Sequence, residues 1–115
     1  MPVERPLQID IQREPGLAVV KVSGSATMDV SERLGDCLVK TAQDPIRMMV
    51  IDMAGLDFLC SESLGAIVSA YLKCVHRGGC VRLAGPTESI REILDLTKLN
   101  KLIPVFPSVE EAIQA

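Results

Sequence analysis

The segment at residues 48–76, MMVIDMAGLDFLCSESLGAIVSAYLKCVH, decides the fold. Its first six residues, MMVIDM (48–53), are almost all apolar, as expected of a central strand covered on both faces. Residues 54–60 read as a connection. From Ser61 to about His76 the apolar residues Leu64, Ile67, Val68, Tyr71, Leu72 and Val75 recur at spacings of three and four, the mark of an amphipathic helix. Gly78-Gly79 stops that helix, and CVRLAG at 80–85 reads as a second strand. A strand, a helix and a strand in this order call for parallel pairing and a right-handed crossover.

The same grammar extends in both directions. Upstream, LQIDIQR (7–13) alternates apolar and polar residues at the period of a half-buried strand. Glu14-Pro15-Gly16 is a turn, and LAVVKVS (17–23) resumes in β-branched residues, so the chain opens on a hairpin. Gly24 to Met28 reads as a loop. Asp29 or Ser31 then caps a helix with Glu32 in its first turn, carrying Val30, Leu34 and Leu38 on its apolar face. Asp44-Pro45 ends it. Downstream, Pro86-Thr87 opens a third helix with the apolar set Ile90, Ile93, Leu94 and Leu96. Leu102 to Phe106 reads as a short strand, and Pro107-Ser108 begins a last helix with Glu110 and Glu111 in its first turn. The order β-β-α-β-α-β-α-β-α predicts an α/β sandwich on a mixed central sheet.

Composition narrows the function. With 115 residues, one domain spanning 1–115 is expected. Aromatic residues make up 3% of the chain (Phe58, Tyr71 and Phe106), which leaves few rings for nucleic-acid bases to stack on. A net charge of −3 provides no basic footprint for a phosphate backbone. No apolar run approaches the ~20 residues needed to span a bilayer, and the charged N-terminus lacks the apolar stretch of a signal peptide. A cytoplasmic protein that inserts in no membrane and binds no nucleic acid is therefore expected. Cys37, Cys60, Cys74 and Cys80 form no CxxC pair, and His76 is the only histidine, so most of the cysteines read as small buried hydrophobes. No metal or cofactor is expected.

A search for catalytic groups finds no GxSxG, HExxH, P-loop or GxGxxG. A thiol enzyme built on Cys60 would need a base. His76 lies at the far end of the same helix, roughly 20 Å away at ~1.5 Å per residue. The segment Phe58 to Gly65 has a different chemistry. It places serines at the start of the longest helix, where unpaired N–H groups and the positive dipole end favour negative charge. Ser61 or Ser63 reads either as an N-cap accepting from the following amides or as a phosphorylatable hydroxyl. A phosphate there would change the surface that a partner meets while leaving the domain folded.

The stretch VIDMAGLDFLCSESLGAIVSAY (50–71) resembles the signature of STAS domains, and in particular bacterial anti-sigma factor antagonists. Leu56, Phe58, Leu64 and Gly65 set the register. Val22-Ser23-Gly24, Gly78-Gly79, Val81 to Gly85, Ile93 to Leu99, and Val109 to Ala112 extend the likeness over nearly the whole chain. The resemblance implies a STAS-type sandwich and a non-enzymatic module that binds a serine-kinase anti-sigma factor and is released when that partner phosphorylates it. By position, the phosphoacceptor falls on Ser61, and the partner-binding set on Thr27, Cys60, Ser61, Glu62, Ser63 and Leu64. Three neighbours depart from the pattern: Cys60 stands where the family has Asp, Glu62 where it has Ser or Thr, and Ser63 where it has Gly. Thr27 occupies a frequently acidic position. The alternative that the resemblance leaves open is a non-switching STAS scaffold, or a subunit of a signalling complex or lipid transporter.

Overall fold

The computed structural model describes residues 5–115. The elements run β1 (Gln8–Glu14), β2 (Leu17–Ala26), a single 3-10 turn (Met28–Val30), α1 (Ser31–Ala42), β3 (Met48–Leu59) and α2 (Ser61–His76). After them come β4 (Cys80–Ala84), α3 (Glu88–Leu96), α4 (Leu99–Leu102), β5 (Val105–Phe106) and α5 (Val109–Gln114). The five strands form one sheet in the order β1-β2-β3-β4-β5. The opening hairpin is antiparallel, and the other three pairings are parallel. The mixed sheet and the central place of 48–53 are as expected from the sequence.

Alternation along β3 sends side chains to opposite faces of the sheet. Met49, Ile51 and Met53 join Leu34, Leu38, Ile67, Ile90, Leu94 and Ile103 in the main core, beneath α1 to α4. Val50 and Ala84 point the other way, where Ala112 of α5 covers them. Burial on both faces explains why the sequence of this strand is continuously apolar while β1 alternates.

Several boundaries differ from those expected. β2 runs on to Ala26 and β3 to Leu59, so residues 54–59 are strand and not connection. The extension is pinned by parallel pairing of Ala26 with Leu59, past register shifts between Lys21 and Ser23 and between Gly24 and Ser25. Bulges of this kind break the period-2 signal. Val30, with no side-chain cap, precedes α1 in place of Asp29 or Ser31. The final strand shrinks to Val105–Phe106, because Leu99 to Leu102 turn helical after Lys98 adopts a left-handed conformation (φ 61°). Leu96, expected on the core face, is 83% exposed.

Helix α2 presents a face different from the one expected. Ser63, Ile67, Ala70 and Cys74 are buried, Leu64, Val68 and Tyr71 are half-buried, and Leu72 and Val75 are exposed. The stripe has rotated by one residue toward small side chains. The rotation follows from the close approach of α1, where a Cβ at Gly35 would lie 3.3 Å from the Cβ of Ala66. The helix ends at Gly78 (φ 85°), whose amide bonds Val75 O while that of Gly79 bonds Cys74 O. That is the Schellman pattern. Of the four cysteines, only Cys74 is fully buried, and burial pushes its thiol pKa up.

Helix α5 is held at both ends. Ser108 accepts from Glu111 N at 3.2 Å, and the Arg82 guanidinium donates to Ala112 O and Ala115 O. Loss of such a cap costs about 1 kcal/mol. Ser108→Ala is therefore expected to lower the unfolding free energy by about that much in urea titration, with an unchanged m-value.

Candidate functional site

Parallel pairing brings the C-terminal ends of β2 and β3 to one edge of the sheet. Because Ala26 is in register with Leu59, the next residues, Thr27 and Cys60, leave the sheet side by side. One chain end enters the 3-10 turn and the other enters α2. The fold thereby unites Thr27 with residues 60–64, two groups that the sequence keeps far apart.

Cys60 is the N-cap of α2 in extended conformation (φ −81°, ψ 169°), and its side chain caps no amide. The helix closes with Leu64 N bonding Cys60 O at 3.0 Å. Neither serine is the N-cap, contrary to one reading of the sequence. Ser61 is the first helical residue, is exposed, and donates its hydroxyl to Glu62 Oε1 at 2.7 Å. Ser63 is completely buried and donates to Ala26 O at 3.3 Å. The same carbonyl accepts from Cys60 N at 3.0 Å, and the Cys60 thiol lies 3.4 Å from Ser63 Oγ as donor. Leu64 is half-buried against the main core. On the facing segment, Thr27 donates to Asp29, and Ser31 donates to Met28 O at 2.8 Å.

This end of the sheet exposes both apolar and acidic side chains. Met28 is 69% exposed and Phe58 46% exposed, both at this edge of the sheet. Asp29, Glu32 and Glu62 are exposed on the same side. Beneath it, the void among Leu34, Leu38, Ile51, Met53, Leu56, Leu59 and Ile67 is only about 10 Å³. The platform is therefore close-packed. Met28 ends the Gly24–Met28 segment that the sequence offers as a loop of the docking surface, and the structure adds that its side chain stands in solvent. Its one signal is an apolar side chain between the polar residues Thr27 and Asp29.

A second contact at this rim is invisible in the sequence. Arg5 donates to Asp57 at 2.7 Å and to Gly55 O at 2.6 Å, while Arg5 O accepts from Ser25 N at 3.1 Å. The hydrogen bond from Arg5 holds the Asp57 carboxyl below the usual carboxylate range. A lowered carboxyl pKa contributes stability above the unfolded value near ~4, and that contribution is lost as pH falls through the folded value. The stability difference between wild type and Arg5→Ala is therefore expected to be larger at pH 7 than in strong acid, where only the share from the Arg5–Gly55 bond is left. A difference that stays constant down to about pH 2 would exclude this origin.

Comparison with known proteins agrees with this architecture. A family model described as STAS domain matches residues 8–112. The anti-sigma F factor antagonist of Paenibacillus polymyxa is 24% identical over 110 residues, covering 93% of this chain and 92% of its own. The crystal structure of an anti-sigma factor antagonist from Mycobacterium paratuberculosis superposes with a TM-score of 0.86 at 25% identity, covering 95% of this chain and 92% of that one. The Bacillus protein SpoIIAA, at 16% identity, shares the fold in its unphosphorylated form (TM-score 0.78, 94% and 93% coverage). Its phosphorylated form gives a TM-score of 0.71, with 95% and 97% coverage.

Proposed function

Because the chain belongs to the STAS domain family, we propose that it is a non-enzymatic anti-sigma factor antagonist that docks a serine-kinase anti-sigma factor and is switched off by phosphorylation of Ser61. The observation that carries this reading is an exposed hydroxyl at the first position of α2, on a surface that also presents Met28 and Phe58. Exposed apolar groups suit a reversible protein interface, in which a few buried anchors supply most of the affinity. Relatives named as anti-sigma factor antagonists, one of them solved in a phosphorylated form, support the same role.

The switch is electrostatic. The partner transfers the γ-phosphoryl group of ATP to Ser61 Oγ. A new P–O bond forms, the bond to ADP breaks, and the hydroxyl proton leaves to a base of the kinase. The hydrogen bond from Ser61 to Glu62 is then lost, and the phosphate adds about −1.5 to −2 charges beside that carboxylate. The N-terminus of α2 stabilises the new charge, so the domain stays folded. The partner meets an anion where a hydroxyl stood.

Incubation with the cognate kinase anti-sigma factor and ATP tests this. Intact mass is expected to show one added phosphate on the wild type and none on Ser61→Ala. A Ser61→Ala protein that is still phosphorylated to full extent would remove the assignment. Absence of any phosphorylated form in the native host, across growth conditions, would favour the non-switching scaffold instead.

A further inference from the structure

We propose that Ser63 is a positioning residue: its buried hydroxyl, held by Cys60, locks the first turn of α2 to the end of β2 and so fixes Ser61 relative to the Thr27–Val30 turn. This rests on the docking surface described above and specifies what holds its two halves in place. Serine inside a helix ordinarily bonds a carbonyl of its own helix one turn back. Ser63 sits too near the helix start to do so, and its hydroxyl reaches out of the helix to Ala26 O, 37 residues away in sequence. That carbonyl belongs to the last residue of β2, directly before Thr27, and its second lone pair takes the amide of Cys60. One carbonyl thus receives two bonds from the same helix turn. The Cys60 thiol donates to the oxygen of Ser63 and completes the chain.

Every polar group in this clip is partnered, and Ser63 is fully removed from water. Where the resemblance leads one to expect Asp and Gly, the chain has Cys60 and Ser63, and the two touch. A glycine at 63 has no side chain to reach β2, so the tie would rest on the Cys60 amide alone. The departures at 60 and 63 therefore form one device, while Glu62 points to solvent and acts separately.

Amide hydrogen exchange of the isolated protein tests the clip without any partner. In Ser63→Ala, and in Ser63→Gly should the alanine variant fail to fold, exchange at Cys60 and Val30 is expected to quicken by about tenfold, the worth of one buried hydrogen bond. Core amides of Met49, Val50 and Ile51 are expected to quicken less. Equal or greater acceleration in the core marks a merely structural residue and overturns the proposal, as does no change at Cys60 and Val30. With the cognate kinase and ATP, KM for the variant is expected to rise several-fold at unchanged kcat after the substrate concentration is corrected for the folded fraction measured in the same buffer; a rise that this correction removes marks a merely structural residue and overturns the proposal. If the wild type is not phosphorylated at all, the docking reading fails while the exchange result still stands or falls by itself.

Discussion

Gly24→Ala is expected to destabilise the protein by about 2–4 kcal/mol, read as a lowered midpoint in urea titration. Gly24 has φ 86°, a left-handed conformation that side chains disfavour. A Cβ there would lie 2.1 Å from Pro6 O and 2.8 Å from the Pro6 carbonyl carbon. Both are backbone atoms, so no side chain swings aside to relieve the clash. The segment carrying Pro6 must lift, which breaks the bond from Ser25 N to Arg5 O and withdraws Arg5 from Asp57 and Gly55. Strain of about 1–3 kcal/mol and a lost hydrogen bond of about 1 kcal/mol give the total. In a chain that starts at Leu7 the clash is gone, and the cost of Gly24→Ala should fall to the strain alone. A shift below about 0.5 kcal/mol in the full chain, the size of an ordinary surface substitution, would contradict this account.

Phosphorylation of Ser61 is expected to weaken binding of the anti-sigma factor by at least about 100-fold, measured by calorimetry with the stoichiometrically phosphorylated protein. A factor of 100 is about 2.8 kcal/mol. Charge placed wrongly across an interface costs several kcal/mol, and here the phosphate arrives beside Glu62, on the side of the molecule that bears Asp29 and Glu32. The thermal midpoint is expected to change little, because the helix end accepts the charge. Equal affinity in both forms would leave the non-switching scaffold as the better reading. Unfolding on phosphorylation would show that the surface is not the element being switched.

Much of this was legible in the linear chain because burial writes itself into residue type. MMVIDM reads as the central strand since both its faces are covered, and the Glu14-Pro15-Gly16 turn reads as a hairpin since proline and glycine pre-set its dihedral angles. The start of α2 at Ser61 was legible as well, because an apolar stripe at helical spacing begins there. Other features were not. The extension of β3 through Ala54 and Gly55 is imposed by pairing with β2, and those residues have little strand preference of their own. The buried face of α2 is chosen by how near α1 comes at Gly35 and Ala66, which periodicity along α2 alone does not contain. The role of Ser63 was obscured because a serine near a helix start looks like a cap until its partner, Ala26, is seen.

The sequence by itself determined the order of elements apart from the short α4, the parallel sheet with its antiparallel opening strand, and the placing of two serines at the start of the longest helix. These depend on local preference and on the period of apolar residues. The tertiary structure alone decided that Thr27 and Cys60 leave the sheet together, that Met28 and Phe58 stand beside them, and that Ser63 is tied to Ala26. Each of those depends on register between strands distant in the chain, a relation carried by hydrogen bonds across the sheet and not by any residue's own propensity.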